Sequence, residues 1–198
     1  RLLSQTSIVD QIVESDLIAL NAVLENLGAE WSSRAVASTS MNEQMRILEK
    51  SMPGVRTFAI FDDNGTIQAS NRSEFVGKNF ADRQYFKQAK ELANPSILCL
   101  SEPYITVLGV RTINVTKSFF NSGGAFVGVV VASLEPAYFE PLLRSVLYNE
   151  DIWVNLVHNK GDVFLAVPEN NNVAGKNLAQ PGTLFSKHIN SARVENFC

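Results

Sequence analysis

The stretch "DRQYF" at 82–86 sets a cation beside two aromatic rings, and "SEPY" at 101–104 brings a third ring. The guanidinium of Arg83 can hold a carboxylate through two parallel hydrogen bonds. Tyr85, Phe86 and Tyr104 would supply the ring-lined wall that small-ligand sites favour. A plainer reading stands beside this one. Tyr85 and Phe86 can pack a helix onto a sheet while Arg83 pairs with neighbouring Asp82.

Chemistry beyond binding is sparse. His158 and His188 are the only two histidines, and neither has a Cys, His or carboxylate at ligand spacing. There is no Gly-x-Ser-x-Gly elbow and no P-loop. "GVVVAS" at 128–133 closes a strand rather than opening a phosphate-binding helix. "DDNG" at 62–65 lacks the later Glu and the alternating oxygen ligands of a calcium loop, so it reads as a turn. No catalytic constellation, metal or cofactor is expected.

The net charge is -3, and no basic run occurs anywhere, which argues against a nucleic-acid surface. With 45% hydrophobic and 19% charged residues the chain is globular rather than disordered. The Asn-x-Ser/Thr triplets at Asn64, Asn71 and Asn114 are read as coincidence, Asn114 lying inside a strand. Cys99, in the apolar run "SILCL", is a small buried hydrophobe or the partner of Cys198 in a disulfide. The apolar run "AFVGVVVASL" at 125–134 is about half the length a spanning helix needs. The chain begins without Met and reads as a piece of something longer.

The elements that must position these residues follow from periodicity. Val9, Val13, Leu17, Leu20, Leu24, Leu27 and Trp31 recur at three- and four-residue steps, predicting a long helix over 1–37. "SMNE" at 40–43 has the form of a capping box opening a second helix, which Pro53-Gly54 stops. The period then changes. "VRTFAIFDDNGTIQAS" is a hairpin around an Asn-Gly turn. A loop and short helix occupy 77–93. Strands follow at 96–105, 110–120 and 125–134, and a helix at 135–147 carries Pro136 and Pro141 in its first turns. The last strand is apolar on both faces and should be central.

The unit then restarts. "FVGKNF" at 75–80 returns as "VAGKNL" at 173–178, each behind an apolar run, a turn ending in glycine (Gly65, Gly161) and a second apolar run. This predicts a domain-sized unit used twice, the second copy lacking the three later strands. The fold class expected is α+β: a long N-terminal helix, a PAS-like antiparallel five-stranded sheet with flanking helices, and a second, incomplete PAS-like unit. The domains expected are 1–54, 55–147 and 148–198.

"FDDNG", "GKNFADRQYF", "SEPY" and "GGAFVGVVVASLEPAYF", in this order behind a long helix, resemble the double Cache domains. These are tandem PAS-like extracytoplasmic sensors of bacterial histidine kinases, diguanylate cyclases and chemoreceptors. The resemblance implies a periplasmic sensor domain of an inner-membrane receptor. It implies a small-molecule ligand in the distal unit, beneath the loop and helix that carry Arg83, Tyr85 and Phe86, with Tyr104 on the neighbouring strand. Arg111 would add positive charge if it faces the pocket. Amino-acid-binding members carry an Asp near the end of the last strand, and Ser133 stands there, so a carboxylate or uncharged metabolite is expected over an α-amino acid. A homodimer through the N-terminal helix, tethered to the membrane, completes the expectation. The competing reading is a dimerisation or interaction module that binds no ligand.

Overall fold

The computed structural model of the chain describes residues 2–33, 37–106, 109–149, 152–169 and 173–191. The first element is one long helix, α1 (Leu2–Ser32). Leu17, Leu20, Leu24 and Leu27 are its buried stripe, while Val13 and Trp31 are only half-buried and the side chain of Val9 lies outside the described residues. Gly28 is a packing residue of this helix. A Cβ there would stand 3.1 Å from Phe119 Cβ and 3.3 Å from a Val130 methyl, so its absence lets the helix approach the sheet closely. No helix among the described residues is long and apolar enough to cross a membrane.

Helix α2 (Ser38–Ser51) starts two residues before the expected capping box. Ala37 occupies the N-cap with no side-chain bond, and Glu43 pairs with Arg46 at 2.6 Å instead of reaching back. Ser40 therefore lies inside the first turn, where its backbone is already helical and it cannot act as the cap. Met41 and Met45 are buried from this helix.

The strands are β1 (Val55–Asp62), β2 (Ile67–Ser70), β3 (Leu98–Leu100), β4 (Tyr104–Ile105), β5 (Arg111–Phe120) and β6 (Phe126–Leu134), with α3 (Gln84–Leu92) between β2 and β3. The sheet order is β2-β1-β6-β5-β3, and β4 pairs with β5. Central β6 has five consecutive buried residues, so its apolar faces are both covered. Six strands appear where five were expected because the run 96–105 is split. Pro103 has no N–H to give the ladder, and the chain leaves it at 101–103 before β4 rejoins. The expected helix at 135–147 is likewise broken, into a 3-10 turn (Pro136–Tyr138) and α4 (Glu140–Ser145). The Pro141 ring would clash with the carbonyl four residues back in a continuous helix.

The second hairpin is β7 (Val154–Val157) with β8 (Val163–Val167), followed by α5 (Leu184–Ser191). The chain divides into two compact units. The sheet unit comprises Asp16–Ser101 and Asn114–Leu134. The hairpin unit contains Glu102–Ile113 and the described residues from Glu135 on, with the first turns of α1. Within the hairpin unit Phe139 meets Phe164 edge to face, which packs the segment before α4 onto β8. Cys99 is buried on β3, and Cys198 lies outside the described residues.

Candidate functional site

The β1–β2 turn is built around Asp62. Its Oδ1 accepts from the amides of Asn64 (3.0 Å) and Thr66 (2.9 Å), and its Oδ2 from Gln68 Nε2 (2.7 Å). Both oxygens are thus engaged in holding the turn. Gly65 takes φ +80°, and a Cβ on it would come within 2.7 Å of Ala81 Cα, so the following loop lies directly on the turn.

That loop is the Gly-Lys-Asn segment. Ile67 donates to the Lys78 carbonyl, Gly77 to Ile67, and Phe80 to Gly65, at 2.8–2.9 Å. The Asn79 amide donates to the carbonyl of Asn64 and to Thr66 Oγ1, while its oxygen accepts from Ala81 N–H. One side chain thereby ties the turn, strand β2 and the entry to α3 together. The second copy repeats every bond. Asn177 donates to the Lys160 carbonyl and to Asp162 Oδ1, and accepts from Ala179. Val163, Gly175 and Leu178 donate to Lys176, Val163 and Gly161. The shared signature is therefore a hydrogen-bonded device that fixes where the next helix begins.

In the sheet unit this device delivers α3 over the sheet. Phe61 sits at the middle of an aromatic group, with ring centroids of Phe80 at 6.3 Å, Tyr85 at 6.2 Å and Phe86 at 6.0 Å. The first two contacts are edge-to-face, as ring quadrupoles favour. Phe86 is 2% exposed and belongs to the core with Ala59, Ile67, Ala89, Val129 and Val131. Tyr85 is half-buried beside that cluster. Arg83 is the N-cap residue of α3, exposed, with its guanidinium 5.9 Å from the Phe80 ring centre. Ser133 is half-buried on β6, opposite Thr57 of β1.

Tyr104 and Arg111 lie in the hairpin unit. Tyr104 pairs with Thr112 across the β4–β5 ladder. Arg111 Nη2 donates to the Ala174 carbonyl at 3.2 Å, and its guanidinium covers Gly175, where a Cβ would be only 2.5 Å away. Nearby, Lys160 pairs with Glu102, and this partner raises the lysine pKa above its ordinary value. Of the six residues expected at the site, Arg83, Tyr85, Phe86 and Ser133 thus belong to one unit, and Tyr104 and Arg111 to the other.

Strand β5 carries polar side chains to which the sequence reading gave no part in a site. Asn114, Thr116 and Ser118 are all buried. Ser118 Oγ donates to the Ala89 carbonyl of α3 at 2.9 Å, which identifies the α3 side of the sheet, and Thr116 and Asn114 share that face by alternation. The signal was present as period-2 patterning in "TINVTKSF", interrupted only by Lys117, but polar positions in a strand are ordinarily assigned to solvent. Burial of Asn114 also removes it as a glycan acceptor on the folded chain.

The family model described as "HK/GC/Chemotaxis protein-like, sensor domain" matches residues 15–136, more than half of the chain. The chain belongs to this sensor-domain family. Among solved structures, an extracellular ligand binding receptor from Desulfohalobium retbaense DSM5692 aligns with TM-score 0.77 and 16% identity over 95% of this chain. This chain spans only 34% of that receptor. The extracellular domain assigned to the histidine kinase rpHK1S-Z16 aligns with TM-score 0.77 and 21% identity, covering 89% of this chain and 72% of the other. The ligand binding domain of the Pseudomonas aeruginosa PAO1 amino acid chemoreceptor PctC, in complex with GABA, gives TM-score 0.65 and 14% identity, at 89% and 78% coverage. Identities this low carry the fold, an α+β sensor domain of PAS/Cache type. No curated protein sequence matches the chain.

Proposed function

We propose that the chain is the extracytoplasmic input domain of a bacterial transmembrane signalling receptor, of histidine kinase or diguanylate cyclase type. It binds a small metabolite on the α3 face of the sheet unit and is itself non-catalytic. The observation that carries this reading is the exposed Arg83, set at the N-cap of α3 over Phe80, beside a ring cluster that ends in half-buried Tyr85. A cation at the rim of an apolar floor suits a ligand with a carboxylate end. The helix N-terminus adds a favourable field for an anion. Family membership and the structural likeness to ligand-binding receptor domains support the same reading.

Closure of α3 and its loop over the ligand would then bias the long helix between two states, which requires the ligand to prefer one of them. Homodimerisation along α1, with the membrane beyond it, is part of the proposal. It is supported by Ile12 and Ile18, which α1 leaves exposed although both are large and apolar. The reading is tested by a thermal-shift screen of small carboxylates and neutral metabolites. A ligand that binds only the native state raises the melting temperature by mass action. A chain that responds to no member of a broad panel would be an interaction module instead.

A further inference from the structure

Among the described residues Lys117 is the one charged side chain that the fold buries, and it projects from β5 toward α1. Its ammonium lies 2.9 Å from Glu25 Oε1. One turn earlier on α1, Asn21 Nδ2 donates to the same oxygen at 3.0 Å. That bond fixes the orientation of the amide, because a flipped amide would set two oxygens against each other. Asn21 Oδ1 is then left buried with no hydrogen-bond partner. A buried carbonyl oxygen without a donor is costly, and folded chains rarely keep one. Lys117 brings three N–H donors, of which Glu25 Oε1 takes one. A buried acceptor without a donor thus shares a carboxylate with a cation that has donors to offer.

Glu25 meets Lys117, and Gly28 meets Phe119, two residues further along the same face of β5. Helix α1 therefore runs beside β5 in the same direction. Travel of α1 toward its C-terminal end brings Asn21 toward the Lys117 ammonium. Travel the other way brings Ala29 there, and the buried cation would lose its acceptor. A full turn forward, about 5.4 Å, is also closed. It would put Leu24 where Gly28 stands, and a Cβ at that place is already 3.1 Å from Phe119 Cβ. Shifts of a fraction of a turn remain, the size by which packed helices move in switching, and the flexible lysine stem can follow them.

We infer that Asn21 Oδ1 is the second acceptor for Lys117. Two acceptors one turn apart keep the buried cation bonded while α1 shifts along β5 toward its C-terminal end, and in that direction only. Asn21 is thus a positioning residue that acts through Lys117. Its place in signalling rests on the α1 bias proposed above, whereas the pairing itself needs no ligand.

The test is a double-mutant cycle read by urea midpoints, on Glu25→Ala, Asn21→Ala and the two together. Either acceptor can serve the cation while the other is gone, so the double variant should lose more than the two single losses combined. If Asn21 served only to orient Glu25, its removal would count for nothing once Glu25 was gone. The double variant would then lose less than that sum, and a loss at or below the sum overturns the inference. The helix-propensity gain of Asn→Ala is the same in both backgrounds and cancels. In a Lys117→Met background the excess should vanish, and an excess that persists there overturns the role of the lysine. Should the double variant not fold, a charge transplant decides. Asn21→Asp is isosteric, so in Glu25→Ala it should restore most of the lost midpoint by bringing a carboxylate to the second position. No restoration would put position 21 out of reach of Lys117 and overturn the inference. Because no ligand enters, failure here leaves the α3-face reading standing, and a silent metabolite screen leaves the Asn21 pairing standing.

Discussion

The Lys117 ammonium lies 2.9 Å from the Glu25 carboxylate, joining the middle of β5 to α1. The lysine side chain is 4% exposed and the glutamate 52%, so the cation is the buried partner. Asn21 Nδ2 also donates to Glu25 Oε1, at 3.0 Å, one turn earlier on the helix. Removing the anion leaves a buried, uncompensated charge. Glu25→Gln should destabilise the chain by about 1–2 kcal/mol, a discount from fully buried pairs because the glutamate faces water on one side. Lys117→Met, which removes the charge along with its need for a partner, should be near neutral. Urea denaturation of the two variants checks the asymmetry, and equal losses would contradict it.

The same pair sets a pH dependence. The Lys117 hydrogen bond holds the Glu25 pKa below the ordinary glutamate value, against the opposing effect of burial. A depressed folded-state pKa means stability that is present above the unfolded value of about 4.3 and lost as pH falls through the folded one. The advantage of wild type over Glu25→Gln should therefore shrink on acidification. Paired urea midpoints at about pH 7 and about pH 3 measure this. An advantage unchanged at the acid end would contradict it.

Two glycines of similar backbone separate strain from crowding. Gly65 has φ +80° and Gly77 φ +82°, but an added Cβ meets Ala81 backbone at 2.7 Å in the first case and nothing within 4 Å in the second. Gly77→Ala should cost about 1–2 kcal/mol from left-handed backbone strain alone. Gly65→Ala should cost clearly more, because the Asn79 device must move as well. Thermal melts of the two variants decide, and equal shifts would mean that the loop yields freely.

Much of this architecture could be read in the residues because local chemistry and tertiary structure agree. The Asp-Asn-Gly turn, the Leu17–Leu27 stripe and the doubled Gly-Lys-Asn loop each have one low-energy solution. The elements that diverged did so where a single atom intervened, as with the missing N–H of Pro103 or the ring of Pro141. The site was harder. Lys117 and Asn114 look solvent-facing in a strand, and only tertiary packing makes them buried.

Ile18 is 62% exposed on α1 while its neighbour Leu17 is buried, so the helix offers an apolar position on the side away from its own sheet. If α1 pairs with a second copy, Ile18→Asp should leave the melting temperature of the monomer unchanged and weaken dimerisation roughly tenfold or more. Sedimentation equilibrium across a concentration series would register the change. A wild-type chain that stays monomeric at every concentration would remove α1 pairing from the account.

The most direct measurement is calorimetry of the first ligand recovered from the metabolite screen against wild type and Arg83→Ala. Arg83 is exposed and outside the core, so the variant should melt with the wild type. Loss of its charge-assisted contact should weaken binding by more than about 1.4 kcal/mol, a factor of ten. Unchanged affinity in Arg83→Ala would contradict the central claim and put the binding site away from the α3 face.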